Sequence, residues 1–532
     1  MNKLNRFQKQ VLEEALVLKN GALNLPMGSG KTLTSLVLAL TQNPKGKVLV
    51  VCSKTLLPSW IFEIKKFFGE ELAYVAYHPD YIKPIRTFKI TDEQVVITTP
   101  EILRKAYESN AIQEYFTELM DINTKVYRKP TRPFVQGATE PYDCFFYNQK
   151  WGTLLVDEAQ KYTKINTLNC ESIASICAKN RWCLSGTLFD EPSAERILGY
   201  YLIINHPTFP RNLPDAVKRL RNPLFKGISS TLVQRNPPKI NCELREHIIE
   251  HELSDMEKKI YMSTREIFLH LNQQVRHHKT QGDIHLTRKF TAYLLACLIY
   301  LRQTVVCSVL PLAVSAVEIA DFSKKSQLTV AFNNQMNVIT GISDFMTDVE
   351  NVKSTRMKNA LAVIENTHHN IVVFTCFRSV LDIFKSFISN RPVYTICGSD
   401  SMQTRFEILE QFKKETNAVL LLTFAIGAEG LNLQCAQTVL LLDFYWNDGK
   451  TKQAIARVFR SGQLARVVDV YYFISNTAIE QAVFKKHNEK LKILAEIQNG
   501  AMVSKVTTIK MKDIVTLIRT QENKDLLNMI IN

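Results

Sequence analysis

Several features are missing from this 532-residue chain. None of its eleven cysteines forms a C-x-x-C pair, so neither a zinc ribbon nor a disulfide framework is expected. Cys52, Cys376 and Cys397 lie in apolar runs and read as reduced core thiols of a reducing, intracellular compartment. His277, His278 and His285 have no cysteine at ligand spacing and read as a solvated loop rather than a metal site. No uninterrupted apolar stretch reaches about 18 residues, which argues against a membrane span. The polar start, residues 1–10, has no signal-peptide core. No block of basic residues marks a disordered tail. What is present is ordinary for a chain with real cores: 46% hydrophobic and 22% charged residues, with a length that suits about three or four domains. The net charge of +15 is spread along the chain and suits a polyanion partner, although a basic balance alone selects none.

The most informative stretch is Leu25-Pro26-Met27-Gly28-Ser29-Gly30-Lys31-Thr32. It follows a short apolar run (22–25) and opens an apolar segment (33–40), so it reads as strand, tight loop, helix. Gly28 and Gly30 let the loop turn with its amides inward, and the helix N-terminus adds partial positive charge. Lys31 is then placed for β- and γ-phosphates and Thr32 for Mg²⁺, as in a P-loop, although Leu25 stands where a first glycine is usual. The alternative is a glycine turn that merely precedes a helix. A second anchor is the apolar strand 151–156, which ends in Asp157 and Glu158. Asp157 can reach Mg²⁺ and its waters, and Glu158 can orient and deprotonate an attacking water. Two solvated acids at a strand end are the plainer alternative.

Apolar strands at 47–52, 94–100, 151–157 and 181–187 alternate with helical segments, which predicts an α/β sheet over residues 1–210 with its ligand at the carboxyl ends of the strands. Residues 108–150 break the pattern, and 127–134 within them are basic and aromatic; a nucleic-acid contact and an insertion without a partner fit equally. Residues 211–350 lose the strand signal and show helices at 255–274 and 287–306, as a helical insertion and linker. A second alternating region, 351–500, carries strands at 370–375, 418–423, 438–443 and 467–474. It also holds a glycine loop (424–433) and a helix (453–463) with Arg457 and Arg460 on one face. The tail, 501–532, carries no signal.

Together these motifs resemble the Swi/Snf family of remodelling-type ATPases in helicase superfamily two, from about residue 4 to 495. In the first half the resemblance rests on Arg6-Phe7-Gln8-Lys9, residues 27–32 and 50–60, Val96-Ile97-Thr98-Thr99, residues 157–160, and Leu184-Ser185-Gly186-Thr187. In the second it rests on Val372-Val373-Phe374, residues 427–433, Asp443-Phe444-Tyr445-Trp446-Asn447, and 453–463, which is similar to Q-A-x-x-R-x-x-R-x-G-Q. Leu232-Val233-Gln234-Arg235, Leu253-Ser254 and Leu301-Arg302-Gln303 are similar to the family's insertions and linker. The chain departs from the family at Leu25 and Pro26, where acidic residues are usual, and in its DEAQ ending. No bromodomain or chromodomain pattern is visible, which puts chromatin remodelling itself in doubt. The compact form is similar to accessory ATPases, including those of large DNA viruses.

The resemblance implies an α/β fold of two RecA-like parallel-sheet lobes with a helical insertion between them, using ATP and Mg²⁺. It implies that Lys31, Glu158, Arg457 and Arg460 are catalytic, the two arginines as fingers from the second lobe. Phe7, Gln8, Met27, Gly28, Ser29, Gly30, Lys31, Thr32, Gly427, Glu429 and Gly430 would hold the nucleotide, with Gln8 on the adenine edge. Thr32 and Asp157 would hold the metal. Gln160 and Ser185-Gly186-Thr187 would couple the ATP site to a nucleic-acid groove. The implied activity is translocation on double-stranded DNA without full strand separation. The expected molecule is a monomer with no membrane partner, working with transcription or replication proteins in the nucleus or at a viral replication site. Two other readings stay open: a strand-separating helicase on RNA or DNA, and a nucleic-acid-binding scaffold with a weak ATP site.

Overall fold

In the computed structural model the described residues are 4–26, 28–83, 92–108, 120–121, 126–127, 145–188, 193–206, 210, 213–220, 229–235, 241–308, 310, 353–427, 431–444, 448–460, 462–477 and 479–481. The chain divides into two compact units whose continuous bodies run Met1–Ile240 and Asn241–Asn488.

The strands of the first unit are β1 (Asn20–Asn24), β2 (Val48–Val51), β3 (Tyr74–Ala76), β4 (Val95–Thr98), β5 (Met120–Asp121), β6 (Val126–Tyr127), β7 (Trp151–Asp157), β8 (Ala178–Ser185) and β9 (Leu232–Val233). β5 and β6 form a small antiparallel pair, and the others make a parallel sheet in the order β3-β4-β2-β7-β8-β1-β9. Every residue of β2, β4 and β7 is buried, as a parallel sheet covered on both faces requires. One face packs under α1 (Arg6–Val17), α2 (Lys31–Gln42) and α3 (Leu57–Phe68), through Val11, Leu36, Trp60, Trp182 and Leu184. The other packs Cys183 and Leu154 against Tyr200 and Tyr201 of α4 (Ala194–Ile203). Trp182 and Cys183 thus point to opposite layers, as the strand period dictates.

The second unit contains β10 (Glu243–His251), β11 (Ile371–Thr375), β12 (Val393–Ile396), β13 (Val419–Thr423), β14 (Thr438–Leu441) and β15 (Val467–Ser475). They form a second parallel sheet in the order β10-β15-β14-β11-β13-β12. The helices used below are α5 (Asp255–Thr280), α6 (Ile284–Val306), α7 (Thr355–Glu365) and α8 (Asp448–Val458). Both α5 and α6 share a core with this sheet: Phe268, Leu271, Leu294 and Leu301 pack with Val373, Val419 and Leu440. The molecule is therefore built from two RecA-like lobes, as expected.

Two local expectations need correction. Residues 243–251 form a strand in the stretch where strand signals fade, because β10 is an edge strand and its charged positions face outward. The three histidines are not in a loop. His277 and His278 close α5 and His285 opens α6, and the intervening turn passes through Gly282 at φ 75°. The Asp283 carboxylate caps α6 by accepting from the Leu286 amide at 2.9 Å, which extends both helices beyond their apolar cores. Among the described residues no group of histidine, cysteine or acid side chains is arranged for a metal on its own. The described cysteines are all free thiols, and no described helix is long and apolar enough to cross a membrane.

Candidate functional site

The loop after β1 is shaped by two glycines in the left-handed region, Gly28 at φ 76° and Gly30 at φ 78°. Gly30 is the N-cap of α2 and has no side chain to occupy the helix's first amides. A Cβ there would lie 2.1 Å from Gln8 Nε2, so Gly30 is required by its backbone conformation, and a side chain there would also have to push the end of Gln8 aside. Gln8 itself is buried. Its Oε1 accepts from the Asn5 amide at 3.0 Å in the capping box of α1, and its Nε2 donates to the Ser29 carbonyl at 3.4 Å. Phe7 is half-buried at the rim of the same core. The Lys31 ammonium donates to the carbonyls of Leu25 and Pro26 at 2.9 and 3.3 Å. Leu25 extends β1, its amide bonded to the Ser185 carbonyl at 2.9 Å, and its backbone is not left-handed. That position needs no glycine, which accounts for the departure seen in the sequence. Thr32 sits half-buried in the first turn of α2, and Ser29 Oγ is buried without a hydrogen bond. Met27 lies outside the described residues.

The acids stand at the carboxyl end of β7, two strands from β1 and so roughly 10 Å across the sheet. The Trp60 indole donates to Asp157 Oδ2 at 2.8 Å, and the Glu158 amide donates to Oδ1 at 2.9 Å. Burial and then the charge of Glu158 push the Asp157 carboxyl up to about 6; the Trp60 bond, the Lys31 charge and the Glu158 amide pull the other way. Glu158 adopts φ 49°, a strained setting for a residue with a Cβ. Gln160 Nε2 donates to Glu158 Oε2 and to Thr187 Oγ1, at 2.5 and 3.4 Å. Arg196 of α4 holds the Gln160 carbonyl at 2.9 Å, and Ser185 Oγ accepts from the Thr187 amide at 2.8 Å. Asn24 then ties Leu188 to Gln234. One polar network thus runs from Glu158 through Gln160 to the turn after β8.

The sequence carries no sign of a functional role for Trp60, which reads there simply as one of the apolar positions of α3. Only the fold reveals that its indole nitrogen faces the acid.

In the second unit, α8 brings Arg457 against the end of β13. Arg457 is buried, and its Nε donates to the Gly427 carbonyl at 3.3 Å. Its own carbonyl accepts from the Leu433 amide at 3.1 Å. A Cβ on Gly427 would come within 2.2 Å of the Phe374 ring, so close packing against an aromatic explains that glycine. The helix expected over 453–463 instead ends at Val458, so Arg460 lies two residues past it in a bend, where it is half-buried. Glu429 and Gly430 lie outside the described residues. Nearby, Asp443 accepts from the Thr375 hydroxyl at 2.5 Å and the Cys376 amide at 2.9 Å, and Arg302 of α6 donates to the Phe444 carbonyl. The structure thus gathers Phe7, Gln8, Gly28, Ser29, Gly30, Lys31, Thr32, Asp157 and Glu158 in the first lobe, and Gly427, Arg457 and Arg460 in the second.

The first-lobe residues suit a metal-bound triphosphate. No side chain caps the opening of the helix, a buried hydroxyl on Ser29 lacks a partner, and a lysine and a buried acid face one region. A glycine-loop lobe with paired acids, joined in one chain to a second parallel-sheet lobe carrying an arginine helix, defines a helicase-type ATPase core. The chain belongs to the SNF2-related family: the SNF2-related domain matches residues 14–307, and the helicase conserved C-terminal domain matches 353–462. It is 24% identical to the putative helicase 172L of Invertebrate iridescent virus 6, over 89% of this chain and 83% of that protein. It is also 24% identical to the Arabidopsis thaliana TATA-binding protein-associated factor BTAF1 and to the plant's protein CHROMATIN REMODELING 25, over 95% and 89% of this chain. The chain spans only 26% and 52% of those two proteins' lengths. Among solved structures, it is similar to the Sulfolobus solfataricus SWI2/SNF2 ATPase core in complex with dsDNA. That likeness has 18% identity and a TM-score of 0.36 and covers 94% of this chain and 97% of that one.

Proposed function

We propose that this ATPase core is a motor that hydrolyses ATP to translocate on double-stranded DNA and displace or remodel what is bound there. The observation that carries this reading is the hydrogen-bonded line Glu158–Gln160–Thr187, which links the water-activating position to the turn after β8, a route by which a bound strand could bias the acid. Lys31 and the amides of the glycine loop bind the phosphates. Thr32 and Asp157 would hold the metal, with Trp60 fixing the orientation of Asp157. Magnesium bound there would neutralise charge on the β- and γ-phosphates. Glu158 takes the proton of the attacking water. Arg457 and Arg460 stabilise the charge that spreads over the γ-phosphoryl oxygens. The net charge of +15 and kinship with a protein named for chromatin remodelling support duplex DNA as the track.

The test is the steady-state ATPase rate titrated against duplex DNA, single-stranded DNA and RNA, with Lys31→Ala as the blank. Duplex DNA is expected to stimulate most, without net displacement of a blunt strand. A rate indifferent to every nucleic acid would leave a nucleotide-binding scaffold, and net strand displacement would make the protein a helicase proper.

A further inference from the structure

The helical hairpin α5–α6 has two halves of different character. Its root is built into the core of the second lobe. The last buried residue on α5 is Asn272 and the first on α6 is Leu294. Between them, residues 273–293, no side chain is fully buried; Val275, Phe290 and Tyr293 pack against the core, but the exposed charged positions of this outer arm are not dictated by packing. At the root, residues 252–272, Lys258, Lys259 and Arg265 are balanced by Glu252, Asp255, Glu257 and Glu266. The arm carries Arg276, Lys279, Arg288 and Lys289 against the single acid Asp283, which already caps α6. Arg276, Lys279 and Arg288 are exposed and have no salt-bridge partner among the described residues. The imidazoles of His277 and His285 are exposed among them.

The arm is also stiff. The His278 ring from α5 stacks on Phe290 from α6 with centroids 5.2 Å apart and planes 5° from parallel. Phe290 meets Tyr293 edge-on at 6.1 Å, and Lys289 lies over the Tyr293 ring at 6.0 Å. This aromatic clasp joins the two helices, and Phe290 and Tyr293 also pack against the core of the lobe, which ties the arm to its root. Cations on a rigid support lose little freedom on binding. A protein interface of that size would centre on buried aromatic or aliphatic anchors. Here the rings are spent on each other, Ile284 is the one large apolar side chain exposed between residues 273 and 293, and the rest of the outward face is polar and cationic.

We propose that the tip of this hairpin is a sequence-independent contact for the phosphate backbone of duplex DNA, separate from the ATP-site machinery. The proposal rests on the DNA-motor reading and adds to it a defined anchoring surface. It predicts that the arm contributes to affinity and salt dependence but not to the chemical step.

The test uses the full chain with Arg276→Gln, Lys279→Gln and Arg288→Gln combined, since glutamine keeps helix propensity and removes charge. Binding to a fluorescent duplex is measured over a range of salt. Each phosphate contact contributes about 0.9 to the slope of log K against log salt, so the triple variant should lower the slope by about 2 to 3 and weaken binding roughly tenfold or more at physiological salt. Each single variant should lower it by about 1. Thermal melting and DNA-free ATPase should match the parent. A parent that is stimulated by duplex, with a variant of unchanged slope and affinity, overturns the anchoring surface and leaves the motor reading standing. A parent that neither binds duplex nor responds to it overturns both. Loss of binding to polyglutamate with duplex binding intact would assign the arm to an acidic protein and also overturn the proposal.

Discussion

The two lobes repeat one architecture but hold their functional groups by different means. In the first, each polar group is fixed by another: Gln8 by Asn5, Asp157 by Trp60, Glu158 by Gln160, Gln160 by Arg196. Two carboxylates are gathered around one lysine at an electrostatic cost, visible in the raised Asp157 carboxyl. In the second lobe the functional groups are cations at the end of a helix: Arg457, seated by packing and a backbone carbonyl, and Arg460 just past the last turn. The glycines make the same point. Gly30 is required by a left-handed backbone beneath a glutamine, and Gly427 by the ring of Phe374. Similar motif positions therefore answer to different physics, and substitutions should separate them by what they damage.

The largest effects belong to the first lobe. Glu158→Gln should lower ATP turnover by about 10²–10⁴ while leaving nucleotide affinity near that of the parent, because only proton transfer is removed. Retained turnover would take the base role away from Glu158. Next comes Trp60→Phe, which keeps the apolar packing of α3 but leaves Asp157 without its indole donor. Loss of such an orienting partner costs about 10- to 100-fold in metal affinity, read as the Mg²⁺ concentration for half-maximal ATPase. An unchanged Mg²⁺ requirement would make Trp60 a core residue only.

The glycines sharpen the contrast. Gly427→Ala should destabilise the second lobe by about 1–3 kcal/mol through overpacking, with nucleotide binding unaffected. Gly30→Ala should instead weaken nucleotide binding, because the new Cβ displaces Gln8 and strains the loop. Equal effects of both on nucleotide affinity would place Gly427 at the ligand. The smallest effect concerns a cluster peculiar to the second lobe. Arg356 is fully buried, bonded to the Leu442 carbonyl at 2.8 Å and to Glu480 at 2.5 Å, beside His251. Burial first, and the Arg356 charge second, pull the His251 imidazole down to about 4 from its ordinary 6.5, against Glu480. The unfolded chain gains that proton before the folded one, so stability is lost as pH falls from 6.5 toward 4. His251→Gln should flatten that stretch in denaturant midpoints at pH 7 and 5; an identical slope would mean His251 takes no part.

The central strands of both lobes were legible in the sequence, because they are buried on both faces and read as unbroken apolar runs. The loop glycines and paired acids of the first lobe and the arginine motif of the second sit at element ends where their chemistry is recognisable. What escaped was set by distant contacts or by edges. β10 alternates charge with half-buried residues because it lies at a sheet edge, so its strand character is diluted. The indole of Trp60 meets Asp157 across 97 residues of chain, which no local pattern records. Arg356 and Glu480 likewise look like ordinary helix charges until the fold buries them together.

In the proposed motor, turnover requires groups from both lobes. The most direct measurement is single-turnover ATP hydrolysis by Arg457→Lys and by Arg460→Ala, with duplex DNA saturating and fluorescent-nucleotide affinity measured in parallel. Loss of about 10³–10⁵ in rate, with nucleotide still bound through the first lobe, is the predicted result. Hydrolysis at the parent rate in both variants would mean that the first lobe is complete by itself, and would contradict the claim.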